Sequence, residues 1–387
     1  MKNILITGGA GFIGTNLVRR LSQIGGYTIT VLDNLSPQVH GPDAKFDENL
    51  KSISCCIRGD ITEVESWGKI AGEYDAVVHL AAETGTGQSM YEISRYTHTN
   101  LTGTAMLLDF CRNSPGHRVR KIILASSRAV YGEGKYLCSL CGYVYPGPRT
   151  SEAMGTGDFA MHCPRCGANA EPAATDEDSL VKPVSIYGIT KATQEQMVFL
   201  FGQSTGSKII ALRFQNVFGP GQSLMNPYTG ILSIFSTRIL NWKWVNVFED
   251  GKESRDFVFI DDAVEALRLV IEADDLPHDC YNVGSGNQIT VIEAAQALMA
   301  EFGISVPCVI TGEYRIGDIK HNFADTTRSR QELGYRARCD FLEGVRRFAE
   351  WVRGQGRIVD RYEESLEELR SARLMKASGV AFSVEGK

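Results

Sequence analysis

Three residues carry groups that could move a proton on and off a substrate hydroxyl. Tyr187 and Lys191 lie four positions apart in a segment with helical spacing, which places them on one helical face. There an ammonium group can lower the pKa of a phenol from about 10 toward neutrality and make it an acid or base. A tyrosine and a lysine at this spacing also occur in many helices by chance. Ser127, at the end of a predicted strand, adds a hydroxyl that can hydrogen-bond the same oxygen.

A glycine-rich turn near the start of the chain has the spacing of a nucleotide-binding loop. The run 8–14 lies between an apolar strand and a segment with helical spacing. Such a turn lets backbone N–H groups approach a pyrophosphate at the positive end of a helix dipole. The next predicted strand ends at Asp33, nineteen residues past Gly14, where a carboxylate would bind both hydroxyls of an adenosine ribose. Neither Asn34 nor Leu35 is basic, which favours NAD over NADP.

Four of the ten cysteines form two Cys-x-x-Cys pairs separated by twenty-one residues. Four thiolates in this arrangement can form a tetrahedral site that selects zinc or iron. Two disulfides are the alternative, and a cytosolic context argues against them. The pairs resemble those of rubredoxins, which raises iron electron transfer, but four closed thiolates leave no position for a substrate. We therefore favour structural zinc over iron, with the ligands Cys138, Cys141, Cys163 and Cys166.

Composition limits the partners of this chain. It has 387 residues, of which 43% are hydrophobic and 22% charged, and its formal net charge is −6. This balance, without a lysine- or arginine-rich block, argues against a nucleic-acid partner. No apolar run approaches the roughly twenty residues that span a bilayer, and the first strand begins at once, which leaves no room for a signal peptide. We expect a cytoplasmic enzyme that binds neither nucleic acid nor membrane.

The elements that must position these residues follow a βαβα pattern, which is typical of a doubly wound parallel sheet. The fourth strand ends in small residues, where a dinucleotide needs close backbone approach, and His79 within it is expected to be a core histidine. Asn100 begins a helix, as a cap or a structural hydrogen bonder. Strands are predicted at 3–7, 28–32, 53–57, 75–80 and 121–126. The predicted cofactor contacts are Gly8, Gly11, Phe12, Ile13, Gly14, Asp33, Asn34, Asp60, Ile61, Leu80, Ala81, Ala82, Asn100, Tyr187 and Lys191.

As a set, these motifs resemble the extended short-chain dehydrogenase/reductases of the nucleotide-sugar epimerase type. The resemblance extends from residue 1 to about 352, apart from an insertion near 135–172. It implies an α/β fold, with a Rossmann-like doubly wound sheet and a smaller C-terminal lobe that closes over a nucleotide-diphosphate sugar. It rests on Gly8, Gly11, Gly14, Asp33, Ser127, Tyr187, Lys191 and the runs 80–82, 213–220, 255–258, 281–284 and 315–318.

The same resemblance implies the contacts of the sugar nucleotide. Asn216 would bind the diphosphate or the sugar, and Arg255 and Arg315 would clamp the two phosphates through bidentate bonds. An exposed salt bridge is the alternative for each arginine. Arg128 is unusual beside a substrate, and it would contact a sugar hydroxyl or a phosphate. The predicted substrate contacts are Ser127, Arg128, Asn216, Arg255, Arg315 and Asp318.

The implied reaction is NAD-dependent 4-epimerisation through a transient 4-keto sugar. The runs 33–41, 87–91 and 226–230 are similar to dTDP-L-rhamnose 4-epimerases, which favours a dTDP-deoxysugar. A UDP-hexose 4-epimerase and an NAD(P)H-dependent 4-keto-sugar reductase remain alternatives because they use the same groups, and a non-catalytic NAD-binding or redox-sensing protein is a more distant one. Related 4,6-dehydratases carry Asp-Glu where this chain has Arg128 and Ala129, which cannot eliminate water.

We expect the chain to be organised in four parts. The insertion leaves the scaffold just after the strand that ends at Ser127, so we expect it at the mouth of the substrate site, ordering a loop over the sugar. The segment 360–375 is expected to be a solvated or oligomer-facing helix with a frayed tail after it, in a homodimer. The parts are an NAD-binding domain (1–134 and 173–206), the four-cysteine insertion (135–172), a substrate lobe that shares strands with the first domain (207–352), and the C-terminal helix and tail (353–387).

Overall fold

In a computed structural model, the alternating strands and helices of the first half supply five strands of one seven-stranded parallel sheet. The structure describes residues 1–113, 119–356, 358–380 and 384–385. The strand order changes direction between two neighbouring strands, β1 (Lys2–Thr7) and β4 (Ala76–His79), and this creates a crevice at their carboxyl ends. The strands, in spatial order, are β14 (Cys280–Val283), β9 (Lys208–Phe214), β5 (Lys121–Ser127), β4 (Ala76–His79), β1 (Lys2–Thr7), β2 (Tyr27–Asp33) and β3 (Cys55–Arg58).

Helices cover both faces of this sheet. The helices are α1 (Phe12–Ile24), α2 (Pro37–His40), α3 (Glu48–Ile53), α4 (Val64–Trp67), α5 (Thr86–Ser89), α6 (Ile93–Thr97), α7 (Gly103–Asn113), α8 (Ser151–Gly155), α9 (Ile186–Thr205), α10 (Ile231–Leu240), α11 (Ile260–Glu272), α12 (Val291–Phe302), α13 (Thr327–Glu332), α14 (Phe341–Arg353) and α15 (Tyr362–Ser371). A π-helical turn covers His98–Thr102 and a 3-10 turn covers Arg128–Tyr131.

Neighbouring residues of each strand enter opposite hydrophobic cores, because side chains alternate across a strand. In β1, Ile4 and Ile6 belong to the core that contains residues of α1 and α11. Leu5, between them, belongs to the core that contains residues of α7 and α9. The sheet is therefore buried on both sides, as its continuous apolar strands predicted. The predicted fold class and the five predicted strands are confirmed.

The second half of the chain adds β9 and β14 to the main sheet and builds a lobe of short sheets above its carboxyl edge. The lobe packs on the core beneath α10, α12 and α14. Its strands are β10 (Asn216–Phe218), β11 (Val245–Val247), β12 (Ser254–Arg255), β13 (Phe257–Phe259), β15 (Ile289–Thr290), β16 (Cys308–Ile310), β17 (Glu313–Arg315), β18 (His321–Asn322), β19 (Met375–Ala377) and β20 (Val384–Glu385).

The cysteine-rich insertion forms a small antiparallel sheet of its own, in the order β7-β6-β8. Its strands are β6 (Tyr136–Cys138), β7 (Gly142–Val144) and β8 (Ala170–Pro172). The Tyr136 ring lies 6.5 Å from the ring of His321 in β18. The insertion therefore packs against the second lobe.

The C-terminal helix is not solvated on all sides, which corrects one of its two expected settings, and the oligomer-facing alternative stays a prediction. Tyr362, Leu366 and Leu369 of α15 are buried and pack with Met375 of β19. Strand β19 pairs with β17, so this part of the tail is ordered rather than frayed. The tail at 381–383 and 386–387 lies outside the described residues. Across the described ranges, no helix combines the length and hydropathy needed to cross a bilayer.

Candidate active site

One large cavity of about 750 Å³ lies over the carboxyl edge of the main sheet. It is bounded on one side by the glycine loop and on the other by arginines of the second lobe. We call residues 8–14, 33–34, 60–61 and 80–82 the glycine-loop end, and Arg128, Arg255, Arg315 and Asp318 the arginine end. All the predicted cofactor and substrate contacts except Asn100 line this cavity.

The glycine-loop end requires glycine for steric reasons. Gly8 has a φ of +70°, and a Cβ atom there would lie 2.6 Å from the backbone nitrogen of Ala81. A Cβ atom on Gly14 would lie 2.5 Å from the Cα atom of Gly9. The bare backbone leaves the amino end of α1, which begins after Gly11, open to the cavity. This is the geometry that a pyrophosphate needs.

Asp33 lies at the carboxyl end of β2, where it lines the cavity. Its carboxylate accepts hydrogen bonds from the backbone N–H groups of Ala10 (3.0 Å) and Leu35 (2.9 Å). Beside it, the amide of Asn34 donates to Asp60 at 2.8 Å. These bonds fix the carboxylate against the glycine loop, while its remaining lone pairs can accept from a ribose.

Asn100 does not reach the cavity, which corrects its assignment as a cofactor contact. Its side chain is fully buried, accepts from the Glu83 N–H at 2.8 Å and donates to Thr190 at 2.9 Å. It therefore joins the loop after β4 to α9. His79 is a core histidine, held between Thr7 (2.7 Å) and Thr104 (3.1 Å), and burial lowers its pKa to about 3.

Ser127, Tyr187 and Lys191 meet at the centre of the cavity. Ser127 ends β5, and its hydroxyl accepts from the Ala129 N–H at 3.1 Å. Tyr187 lies in the first turn of α9, whose N-cap Ser185 accepts from the Gly188 N–H at 3.0 Å. The Lys191 Nζ lies 5.9 Å from the centroid of the Tyr187 ring. Two distant elements, a strand end and a helix start, thus place the three groups together.

The charges around Tyr187 differ from the sequence-based expectation. Burial raises the pKa of Tyr187, whereas a hydrogen bond with Ser127 and the charge of Arg128 act to lower it. Burial also lowers the pKa of Lys191 to about 7, against the opposing effect of Glu195. The Lys191 Nζ donates to the backbone oxygen of Ala125 at 2.9 Å. The protein groups that act to lower the pKa of Tyr187 are therefore Ser127 and Arg128.

At the arginine end, two guanidinium groups converge on one carboxylate. Arg255 donates to Asp318 at 3.1 Å and Arg315 donates to it at 2.5 Å. Although burial raises the pKa of the Asp318 carboxyl, Arg315 and Arg255 hold it well below its usual range. The charge of this carboxylate is therefore secure at all physiological pH values.

The two arginines differ in what they leave available. Both Nη atoms of Arg255 are also bonded to backbone oxygens, those of Ser254 (2.8 Å), Lys320 (3.0 Å) and Ile319 (2.8 Å). Arg315 makes no such backbone bonds to described residues, its side chain is 35% exposed, and its guanidinium lies 4.9 Å from the centroid of the Phe248 ring. The structure therefore ties Arg255 to the wall and leaves Arg315 accessible, which weakens the expected symmetrical clamp.

Arg128 lies between the centre formed by Ser127, Tyr187 and Lys191 and the arginines of the second lobe. It follows Ser127 directly and lines the cavity, and no described residue accepts a hydrogen bond from its guanidinium. Burial lowers the pKa of Arg128 to about 10, and Arg255 adds to this effect while Asp318 opposes it. Asn216, at the start of β10, lines the cavity beside this end. Arg128 is thus a charged group with free donors next to Tyr187.

Sequence reasoning missed the contribution of the C-terminal helix. Tyr362 of α15 and Phe248 line the cavity. The hydroxyls of Tyr91 and Tyr228 both donate to Glu368 of α15, at 2.8 and 2.9 Å. The apolar spacing of positions 362, 366 and 369 is the signal that indicates a buried face on this helix.

The four predicted metal ligands form one compact cluster. Their sulfur atoms lie within 4.8 Å of one another, and the Cys138 and Cys166 sulfurs are 3.6 Å apart. A tetrahedral site with metal–sulfur bonds of about 2.3 Å needs sulfurs about 3.8 Å apart. None of these four cysteines forms a disulfide with another described residue. The cluster consists of Cys138, Cys141, Cys163 and Cys166, and its donor set fits zinc or iron.

The insertion does not lie at the mouth of the cavity, which corrects its predicted position. No described residue of 135–172 lines the cavity. The insertion packs instead behind the arginine end, where Tyr136 contacts His321 and Phe159 contacts Tyr314. Its influence on the cavity must therefore be indirect.

Comparisons with known proteins agree with this geometry. Residues 4–150 and 163–284 match the family described as the NAD dependent epimerase/dehydratase family. A dTDP-L-rhamnose 4-epimerase from Burkholderia thailandensis is 35% identical over 353 residues, which cover 91% of this chain and 95% of the relative.

Two solved structures share the fold over nearly their whole length. The UDP-glucose 4-epimerase of Thermotoga maritima with UDP-glucose has a TM-score of 0.72 at 29% identity. That of Thermus thermophilus in complex with NAD has a TM-score of 0.72 at 26% identity. Each alignment covers 91% of this chain and 99% of the other chain.

Proposed function

Because the chain belongs to the NAD dependent epimerase/dehydratase family, we propose that it is an NAD-dependent 4-epimerase of a nucleotide sugar, an isomerase. The preferred substrate is a dTDP-deoxysugar such as dTDP-L-rhamnose, as for the relative from Burkholderia thailandensis. The observation that carries the proposal is the convergence of Ser127, Tyr187 and Lys191 in a cavity that also contains the glycine loop.

The glycine-loop end has the groups to hold NAD. The open amino end of α1 would bind the pyrophosphate, and Asp33 would accept from the adenosine ribose. Leu80, Ala81 and Ala82 line the cavity over the strand ends, and the small side chains of the two alanines leave room for the dinucleotide. When bound, NAD would accept a hydride from sugar C4 and return it to the opposite face.

Tyr187 is the proposed acid and base. It takes the proton from the 4-hydroxyl as the C4–H bond breaks and a 4-keto group forms, and it gives the proton back after the sugar has turned. Ser127 hydrogen-bonds the same oxygen and keeps it beside the phenol. Arg128 favours the phenolate through its charge, and Lys191 helps to hold the Tyr187 turn against β5 through its bond to Ala125.

The arginine end has the groups to hold the nucleotide diphosphate. Arg315 has accessible donors and Asn216 lines the same wall, so they are the proposed phosphate contacts. Asp318 orients Arg315, and Arg255 braces Asp318. Arg128 is proposed to contact the sugar or its phosphate. Because the sugar would turn about its phosphate tether, fixed phosphates keep both faces of C4 in reach of the same Tyr187.

A UDP-hexose 4-epimerase is the second candidate. It is favoured by the likeness to the two UDP-glucose 4-epimerase structures. The two candidates share the chemistry at C4 and differ in the base and in the substituent at C6. The same Ser127, Tyr187 and Lys191 would serve both.

We propose zinc at the four-cysteine cluster, with iron as the alternative. The closed thiolate set supports a structural rather than a catalytic metal, because it leaves no position for a substrate. A cluster of four thiol groups that are not paired as disulfides also supports a reducing compartment such as the cytoplasm. Elemental analysis of the purified protein identifies the metal, and a red, redox-active protein would favour iron over zinc.

We also propose a homodimer, on the habit of the family. The exposed apolar side chains of Ile189 and Leu200 on α9 and Ile93 on α6 support an interface there. Light scattering coupled to gel filtration measures the mass directly. A monomer at micromolar concentration would contradict this part of the proposal.

Proton NMR of dTDP-L-rhamnose with the protein and NAD tests the function. The expected result is a second, 4-epimeric nucleotide sugar at equilibrium with no net NADH. Turnover of UDP-glucose alone would favour the second candidate. Product that forms only when NADH or NADPH is added would indicate a 4-keto-sugar reductase. The absence of turnover in the whole panel, with NAD bound, would contradict the epimerase proposal.

A further inference from the structure

A buried side chain of the insertion, that of Arg149, reaches the arginine end. After β7 the chain runs along the second lobe as an arm, residues 145–161, that includes α8. The Tyr314 hydroxyl of β17 donates to the Ser151 oxygen at 3.1 Å, and the Phe159 ring meets the Tyr314 ring edge-on at 6.2 Å. Gly379, after β19, donates to the Gly155 oxygen at 2.9 Å. The arm is therefore tied to the strand that carries Arg315.

Arg149 projects from this arm into the protein. Its side chain is only 4% exposed and is enclosed by the carboxylates of Glu133 and Glu249. The Arg149 Nε lies 3.5 Å from Glu133, Nη1 is hydrogen-bonded to Glu249, and Nη2 donates to the backbone oxygen of Asp318 at 3.3 Å. A buried arginine between two buried acids costs desolvation free energy, so its contacts need a strong geometric match.

Two of these three partners belong to the wall of the cavity. Glu249 lines the cavity and has a φ of +52°, a conformation that is uncommon for a residue with a side chain. Arg149 and Lys320 are the two cations that hold its carboxylate. The other partner, Asp318, orients Arg315 through its own carboxylate. Arg149 itself does not line the cavity.

We propose that Arg149 is a positioning residue that connects the four-cysteine insertion to the diphosphate-binding wall by fixing Glu249 and the backbone of Asp318. This inference rests on the proposed function, because it takes a nucleotide diphosphate as the ligand of that wall. The insertion then acts as a brace: its metal orders the knuckle, the knuckle holds the arm, and the arm supplies Arg149.

The test is the binding of dTDP and of NAD to Arg149→Met, measured by calorimetry on the protein as purified with its metal. We expect the Kd of dTDP to rise about tenfold or more, and the Kd of NAD and the metal content to remain within twofold. In turnover, KM for the nucleotide sugar should rise while kcat changes little. Arg149→Lys, which keeps the charge but cannot reach all three acceptors, should lie in between.

The matched control is Arg346→Met, which removes an exposed arginine paired with Glu343 on α14. It should leave both Kd values unchanged. If Arg149→Met does not fold, Arg149→Lys carries the test. A folded Arg149 variant with unchanged dTDP affinity, or with equal losses for dTDP and NAD, would overturn the inference.

A wild-type control separates this inference from the proposed function. Wild-type protein that binds NAD but neither dTDP nor UDP would contradict the proposed function. Inorganic pyrophosphate is then the probe of the wall. If the wild type binds pyrophosphate and Arg149→Met binds it more weakly, the inference is still supported. If the wild type does not bind pyrophosphate, the inference is overturned.

Discussion

At the glycine-loop end of the cavity, the walls are made of backbone from segments close in sequence, whereas at the arginine end they are made of long charged side chains from distant segments. Gly8, Gly14 and Asp33 lie within one βαβ unit. Arg128, Arg255 and Arg315 come from β-strand ends and turns far apart in the chain. Backbone geometry is set locally, but charged side chains need partners to hold them. The arginine end therefore depends on ion pairs and, as proposed above, on the insertion.

Tyr187→Phe has the largest expected effect, because Tyr187 is the proposed acid and base and lies at the junction of the two ends. Loss of a general acid and base costs about 10²- to 10⁴-fold in kcat. NAD and dTDP should still bind, since the change removes one oxygen. Tyr143→Phe, at an exposed ring of the knuckle, is the control. Near-wild-type turnover by Tyr187→Phe would remove Tyr187 from the mechanism.

Gly8→Ala tests the backbone character of the glycine-loop end. The new Cβ would lie 2.6 Å from the Ala81 nitrogen at a φ of +70°, so the loop must move away from the pyrophosphate. We expect NAD affinity to fall by about a hundredfold, roughly 2.7 kcal/mol, with dTDP affinity retained. Gly68→Ala, where the nearest atom is 3.6 Å away, is the control. Equal losses for NAD and dTDP would contradict the separation of the two ends.

Removal of the proposed metal from the four-cysteine cluster tests the dependence of the arginine end on the insertion. A chelator should raise the Kd of dTDP by about tenfold, roughly 1.4 kcal/mol, and leave the Kd of NAD nearly unchanged. Readdition of zinc should restore dTDP binding. The insertion would be shown to stabilise the whole fold instead if the two ligands lost affinity together. Calorimetry with and without the chelator makes the measurement.

Arg128→Met has the smallest expected effect and concerns pH. The proposed reaction needs the Tyr187 phenolate to accept a proton, so kcat falls as the pH falls through the pKa of that group. Arg128 acts to lower this pKa, and its removal should therefore move the acidic limb of the profile to higher pH by about half a unit, roughly threefold in rate. At pH values above the pKa of Tyr187 in both the wild type and the variant, the two kcat values should converge. A higher KM with an unmoved limb would indicate substrate contact alone.

The corrections to the sequence-based expectations fall mostly at the arginine end. That Arg255 clamps a phosphate stays a prediction, and in the structure its Nη atoms bond three backbone oxygens and Asp318. The insertion was expected at the mouth of the cavity, but it packs behind the wall. No pattern within the insertion indicates where its arm docks, because the docking surface, β17 and β19, is formed by residues more than a hundred and fifty positions away.

The sequence by itself determined the parallel sheet, the glycine loop with Asp33, the catalytic Ser127, Tyr187 and Lys191 as candidates, and the four clustered cysteines. Each of these features is recognised from a local sequence pattern, because turns, helical faces and Cys-x-x-Cys pairs involve residues a few positions apart. The tertiary structure alone decided which arginine remains accessible, that Asn100 is a buried connector, that α15 covers the cavity and that Arg149 reaches Glu249 and Asp318. These features depend on which distant groups form hydrogen bonds or ion pairs with a buried polar or charged side chain, and only the folded chain determines those partners.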